Sequence, residues 1–320
     1  MGAVPYRLEL AVVMEVVQEI LARELTGVKL ADLEKAFASL SHAYRSGEKK
    51  GKHLIGSELE RLLYLTTRMP ATYAVVNSVL STFKRIVGER KRYTLLDIGS
   101  GPGTFLLAAQ NLLSITKATF IEKDAGWRVW GQKFFATPVA WHIADIASEE
   151  YPPHDIVALS YSLGEIADKK KVIEQCWEKT SQFLFIMEPG TPAGFANIRE
   201  ARALLLNKGA HLVAPCTHCA VCPIAGSDWC HFSVRLPRSS LHRRIKGGDL
   251  GYEDEKFSYL IFSKSAVHLP LARIVRRPQK NKGHVRLHLC QEGKIEEKVV
   301  SKKQGQLYRE ACDLEWGDSF

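Results

Sequence analysis

Apolar residues recur at helical spacing from the start of the chain. Leu8, Val12, Val16 and Ile20 share one face, and Leu10, Val13 and Val17 widen it, which predicts an amphipathic helix. A second helix is predicted from Asp32 to Tyr44. The basic, glycine-punctuated run Arg45-Ser46-Gly47-Glu48-Lys49-Lys50-Gly51-Lys52 reads as a loop. Ser57-Glu58-Leu59-Glu60 has the spacing of a capping box, so a helix should start at Ser57. Pro70 should interrupt it, with apolar spacing resuming over Ala71–Val87. Residues 1–90 read as a helical region that by itself names no chemistry.

From Tyr93 the pattern changes to short apolar runs alternating with helical ones. Strands are predicted at Tyr93–Ile98, Ala118–Glu122, Val139–Ala144, Asp155–Ser160 and Phe183–Met187, and helices at Phe105–Leu113, Ala125–Phe135, Glu165–Lys179 and Gly194–Asn207. Such alternation predicts an α/β fold, a parallel sheet with helices on both faces. Ligands in that architecture bind at the carboxyl ends of the strands. Beyond a cysteine-rich insertion at 211–234 the helical signal fades. Lys256–Ser263 is expected to return to the central sheet. Leu271–Arg276, His284–Cys290 and Lys294–Ser301, with turns at Asn281-Lys282-Gly283 and Glu292-Gly293, read as strands of a small β domain. The expected division is therefore 1–90, 91–265 and 266–320.

Candidate chemistry begins with Asp97-x-Gly99-x-Gly101-x-Gly103, between the first strand and its helix. Close approach of backbone to a ligand there requires residues without a Cβ. Glu122 closes the second strand, where a carboxylate can accept both hydroxyls of a ribose. Asp145 follows the third strand, placed to meet an adenine amine. The order of the loop resembles that of class I S-adenosylmethionine-dependent methyltransferases. NAD is the competing reading, because the dinucleotide fingerprint shares the tight turn and the following acid. Plain surface acids at strand ends are the alternative for Glu122 and Asp145. No catalytic set is assigned. The segment after the fourth strand, Ser160-Tyr161-Ser162-Leu163-Gly164-Glu165, lacks the Asx-Pro-Pro-aromatic arrangement of base N-methyltransferases. Pro215-Cys216 offers a nucleophile only if its thiol is not committed to a metal. Methyl transfer can also proceed by positioning alone.

Four of the seven cysteines fall within fifteen residues, in Pro215-Cys216-Thr217-His218-Cys219-Ala220-Val221-Cys222-Pro223 and Trp229-Cys230-His231. That density points to a tetrathiolate metal site rather than to core packing. The local set is Cys216, Cys219, Cys222 and Cys230; a distributed set replaces Cys219 with Cys290. Zinc tolerates either, and His218 or His231 could replace a thiol. Cys176, in an apolar helical stretch, reads as core, and Cys312 as structural.

Seven unevenly spread cysteines argue against a secreted disulfide framework and for a reducing compartment. No eighteen-residue apolar run predicts a membrane span, and Met1–Tyr6 shows no signal-peptide pattern. The expected location is the cytoplasm, or alternatively the mitochondrial matrix for a mature form. The formal charge of +9 is uneven, with thirteen Lys/Arg against four Asp/Glu from His231 to Cys290. Such clustering implies an acidic partner, nucleic acid above all. Candidate phosphate contacts are Arg235, Arg238, Arg243, Arg244 and Lys246, with Arg273, Arg276, Arg277 and Lys280.

Six segments occur together and in order: Arg68-Met69-Pro70-Ala71-Thr72-Tyr73, Leu95–Phe105, Glu188-Pro189-Gly190-Thr191-Pro192, Cys216–Phe232, Lys246–Tyr259 and Gly283-His284-Val285. On these the chain resembles the methyltransferase-like proteins of the mitochondrial small ribosomal subunit and their bacterial relatives, the Rsm-type family. The resemblance spans nearly the whole chain. It implies a class I methyltransferase fold, S-adenosylmethionine, a [4Fe-4S] cluster, and small-subunit ribosomal RNA and ribosomal proteins as partners. Carried over by position, the cluster ligands would be Cys216, Cys222, Cys230 and Cys290. Two departures stand out: Thr217 replaces a usual proline, and Cys219 is an additional thiol able to compete. The function implied is a small-subunit-associated protein that acts on or assembles ribosomal RNA, as an rRNA methyltransferase. The alternatives are a non-catalytic assembly factor and a zinc-binding RNA-binding protein.

Overall fold

The computed structural model describes residues 16–46, 55–88, 92–135, 138–147 and 150–320. The start of the first predicted helix, most of the basic loop and the expected boundary near residue 90 lie outside the described residues.

Helix α1 (residues 16–24) and α2 (Leu30–Ser46) bury Val17, Leu21, Leu33 and Leu40. Helix α3 (Glu58–Thr67) begins as its sequence predicts. Ser57 Oγ accepts the Glu60 N–H at 3.2 Å, and Glu60 Oε2 accepts the Ser57 N–H at 2.9 Å, completing the capping box. Pro70 does not break a helix. The chain breaks at Arg68, and α4 (Met69–Val87) starts afresh with Pro70 in its first turn, where a missing N–H leaves no bond unmade. Tyr73, Val76, Leu80 and Phe83 of α4 are fully buried. The Phe83 ring meets the edges of Phe183 and Phe185 at 4.7 and 5.0 Å, so α4 is one of the helices covering the central sheet.

That sheet runs β3 (Ala140–Ile143), β2 (Ile115–Glu122), β1 (Tyr93–Ile98), β4 (His154–Ser160), β5 (Thr180–Pro189), β8 (Tyr252–Ser263), β6 (His211–Ala214), with β7 (Phe232–Pro237) also on β8. The first five strands are parallel, and β8 is antiparallel to β5, β6 and β7. Helices α5 (Thr104–Leu112), α6 (Ala125–Phe134), α7 (Lys169–Lys179) and α8 (Pro192–Asn207) supply the crossovers. This is the class I methyltransferase arrangement, with strand order reversing between β1 and β4, the switch point outside which ligands bind in open α/β sheets. Continuous burial along β1, β4 and β5 reflects cover on both faces. Helix α7 begins at Lys169, capped by Asp168, and not at Glu165, which belongs to a separate 3-10 turn.

The twelve-residue β8 is the return strand expected from Lys256–Ser263, extended at its start. Its far half pairs with β5, placing Phe257 opposite Pro189, so Glu253 to Glu255 project past the end of β5. The sequence reading missed β7 and the short α9 (Ser240–Lys246), whose seven residues carry too little periodicity.

A second, antiparallel sheet joins β10 (Gln279–Asn281), β11 (His284–Gln291) and β12 (Lys294–Ser301), with β9 (Arg273–Ile274) also on β11. The β11–β12 hairpin turns on Glu292-Gly293 with φ of 47° and 79°, the two-residue turn that suits strand twist. Helix α10 (Gln306–Asp313), absent from the predicted elements, lays Leu307 and Ala311 on Val285, Leu287 and Val300.

Candidate functional site

At the end of β1 the backbone turns through Gly99, Gly101 and Gly103 with φ of 69°, 51° and 87°, a region that side-chain-bearing residues rarely enter. A Cβ on Gly99 would sit 2.9 Å from the Ser162 Cβ, and one on Gly103 would strike the Phe120 ring at 2.6 Å. Those two glycines answer to packing. A Cβ on Gly101 would meet nothing within 4 Å among the described residues, so that side of the loop is open.

Two of the three predicted carboxylates meet at this loop. Glu122, 9% exposed, accepts the Gly101 N–H on Oε2 at 2.9 Å and the Asp124 N–H on Oε1 at 3.0 Å. Burial pushes its pKa up despite those bonds. Asp97 is 1% exposed, with both carboxylate oxygens buried and unpartnered among the described residues. Burial, reinforced by the Glu122 charge, pushes it up to about 8. Asp145 is not part of this buried pair. It is exposed two residues past Ile143, the register partner of Glu122, and its Oδ1 accepts the Ala147 N–H at 2.8 Å.

A cluster that the sequence reading did not assemble lies at the ends of β4 and β5. Tyr161 has φ of 61° and donates its N–H to the Met187 carbonyl at 2.8 Å. The Arg68 guanidinium lies 4.8 Å from its ring centroid and pairs with Glu255 at 2.8 Å. Glu188, 2% exposed, accepts the Leu163 N–H at 3.2 Å and the Asn197 side-chain amide at 2.8 Å. Burial pushes it up to about 7. Arg68 and Glu188 open two of the motifs singled out by resemblance, but nothing in their spacing announces that they share the ligand-side rim of the sheet.

The cysteine loop leaves the sheet at Ala214, opposite Ile261, and returns at Phe232, opposite Phe257, along the edge of β8. Cys216, Cys222 and Cys230 from this loop and Cys290 from β11 line one cavity. Thr217 Oγ1 donates to the Cys290 carbonyl at 3.1 Å, and His218 Nε2 lies 3.5 Å from the Cys290 Sγ, so the two sheets meet there. Cys219 is exposed and not in the cavity wall. Cys176 lies on α7 and is buried in the core, and Cys312 packs on the second sheet.

Burial pushes the thiols of Cys216 and Cys230 up and that of Cys290 up to about 12; at Cys230 and Cys290 the neighbouring thiols push the same way. Thiols gathered in one cavity are a donor set that a cationic centre would turn to thiolates. Among the described residues no three His, Cys, Asp or Glu side chains converge on the position of a single metal ion. One tetrahedral ion needs all its sulfurs within bonds of about 2.3 Å. In a four-iron cluster each thiolate takes a different iron, so the sulfurs stand farther apart.

Arg273 corrects the predicted basic surface. It is 2% exposed, donating from Nε to the Pro215 carbonyl at 2.9 Å and from Nη1 to the Gly317 carbonyl at 3.0 Å, and it forms cavity wall. Arg235 pairs with Asp254, Arg238 and Lys246 share Glu253, Arg276 pairs with Asp228 and Lys280 with Glu315. Arg244 and Arg277 are exposed.

Comparison with known proteins adds lineage. The family described as "Mitochondrial small ribosomal subunit Rsm22" matches residues 58–320. The human protein "Ribosome assembly protein METTL17, mitochondrial" is 26% identical over 313 residues, covering 89% of this chain and 68% of that protein. "Rsm22-cox11 tandem protein 2, mitochondrial" of Schizosaccharomyces pombe is 27% identical over 332 residues, covering 81% of this chain but 43% of that protein, so the chain spans less than half of it. Solved structures are coarsely similar. Precorrin-6y C5,15-methyltransferase from Geobacter metallireducens has a TM-score of 0.40 at 16% identity, over 59% of this chain and 86% of that one. Magnesium protoporphyrin IX methyltransferase from Synechocystis, solved with bound SAM, has a TM-score of 0.39 at 12% identity, over 69% and 90%.

Proposed function

The chain belongs to the family described as mitochondrial small ribosomal subunit Rsm22, and from that membership we propose that it is a small-subunit-associated protein that holds S-adenosylmethionine and a [4Fe-4S] cluster while small-subunit rRNA is assembled. The observation that carries this reading is the approach of Cys290, from the second sheet, to the cavity of Cys216, Cys222 and Cys230. Those four thiols are the proposed cluster ligands, and Cys219 is left out because it faces solvent. When bound, the cluster supplies a covalent clasp between two parts of the chain. In this reading residues 266–320 are a small β unit fastened to the sheet domain of residues 91–265.

The methyl-donor site fits on two grounds. The Cβ side of Gly101 is open, and the buried oxygens of Asp97 lack partners among the described residues. The loop Gly99–Gly103 and Asp97 would hold the amino-acid end, Glu122 the ribose hydroxyls and Asp145 the adenine amine. Glu122 keeps acceptor capacity for this beyond the Gly101 and Asp124 N–H groups. Bound S-adenosylmethionine supplies an electrophilic methyl group.

Assembly is favoured over methylation by the end of β4, where Arg68 stacks on Tyr161 and is tied to Glu255 in place of an Asx-Pro-Pro-aromatic segment. Methylation of small-subunit rRNA is the second reading, supported by the intact glycine loop. The mitochondrial names of the relatives favour the matrix over the cytoplasm. A deletion strain separates the two roles. Lost small subunits with unchanged rRNA methylation, rescued by the wild-type gene and not by Cys290→Ser, is the expected result. A missing methyl mark that Gly101→Arg fails to restore, with subunits assembled normally, would contradict the assembly role.

A further inference from the structure

Two guanidiniums in the thiol cavity have no role in the account so far. Arg202, on α8, is 5% exposed, and Arg273, on β9, is 2% exposed. Each uses part of its fork to hold a loop carbonyl. Arg202 Nη2 donates to the His218 and Ala220 carbonyls at 2.6 and 2.8 Å, and Arg273 Nε donates to the Pro215 carbonyl at 2.9 Å. Each also keeps a buried nitrogen with no partner among the described residues, Nε of Arg202 and Nη2 of Arg273. Both residues line the cavity with the four cysteines. A buried guanidinium N–H left unpaired is costly unless something else in the cavity accepts it.

We propose that Arg202 and Arg273 are charge-compensating residues for the cluster, each directing a buried N–H toward its sulfur. The proposal rests on the cluster reading above. Its logic is electrostatic. A four-iron core with two positive charges, held by four thiolates, carries a net double negative charge, and two guanidiniums cancel it. One arginine comes from the helical layer of the large sheet and the other from the small sheet, so the compensation assembles only when both sheets close on the cavity. Net charge and hydrogen bonds to sulfur are the levers by which a protein sets a cluster's potential. Positive charge favours the reduced, more negative cluster, so removing it should lower the midpoint.

The alternative is that both arginines only clamp carbonyls. Arg202→Met, Arg273→Met and Arg202→Lys separate the two, since Lys keeps the charge while losing the fork. Each full-length variant is purified anaerobically, reduced stepwise with dithionite, and followed by absorbance and electron paramagnetic resonance; the melting of each chelated apo form is measured alongside. Arg202→Met and Arg273→Met should each lower the reduced-to-oxidised ratio at fixed poise at least tenfold, about 59 mV for one electron, while Arg202→Lys stays within about threefold of wild type. Loading by Arg202→Lys but not by Arg202→Met, with apo forms that melt alike, supports the same role. Unchanged midpoints in both Met variants overturn it, as does failure of both Arg202 variants to load. A wild-type protein without iron and sulfide defeats the underlying cluster reading, a result distinct from a loaded protein whose midpoint ignores the arginines.

Discussion

Asp97 is the residue whose environment most constrains the account. Its carboxyl lies at the end of β1 with no partner for either oxygen, and its pKa is raised from 3.8 to about 8. Because the folded value is above the unfolded one, the native state binds the extra proton between those limits. Stability of the ligand-free protein should therefore fall as pH rises from about 4 to about 8. Asp97→Asn should remove that slope. Urea unfolding is expected to show the variant gaining a few kcal/mol over wild type between pH 5 and pH 8, at about 1.4 kcal/mol per pKa unit, while its affinity for S-adenosylmethionine drops. A parallel pH dependence in both proteins would mean that Asp97 is solvated. At this scale the sequence was legible where spacing carries chemistry: four cysteines within fifteen residues marked a thiol-rich site, and three of them, Cys216, Cys222 and Cys230, line one cavity while Cys219 is exposed. It was not legible for Arg273, which reads as one more surface cation in a basic stretch. Its burial follows from a strand of two residues at the seam of two sheets, and no local pattern encodes that.

Among the elements, the strand–loop–helix unit of β1 and α5 was legible because three constraints coincide: an apolar run, glycines at turn positions and a following helix. The structure adds what the pattern cannot, that the three glycines serve different ends. Gly103→Ala pushes a methyl into Phe120 at a φ of 87° and should cost about 2–4 kcal/mol. Gly101→Ala meets only open space, so it should cost about 1–2 kcal/mol for its backbone conformation while weakening S-adenosylmethionine binding more than tenfold. Thermal melts paired with calorimetric titration distinguish the two; equal binding losses at equal stability would put the ligand elsewhere. An element of three residues such as β10 falls below what periodicity can report, and of the strand expected over Leu271–Arg276 only Arg273–Ile274 pairs as β9. Helix α10 escaped because its stripe is short and follows a run of strands.

For the whole molecule, the α/β alternation announced the large sheet, but in the proposed reading its union with the small one runs through Cys290, sixty residues beyond Cys230 in sequence. Pairing of Arg235, Arg238, Lys246, Arg276 and Lys280 with carboxylates thins the cationic surface that composition suggested. Binding to small-subunit RNA should accordingly show a log–log salt slope of about −2 to −3, the signature of about three neutralised phosphates, as measured by fluorescence anisotropy across ionic strength. A slope near −6 would mean that those ion pairs open on RNA.

The central claim is that thiols from both sheets hold one inorganic cluster, and metal analysis of anaerobically purified protein tests it most directly. The account predicts about four irons and four acid-labile sulfides per chain, retained in Cys219→Ser and lost in Cys290→Ser. About one zinc per chain without sulfide, or a cluster that survives Cys290→Ser and vanishes with Cys219→Ser, would contradict it.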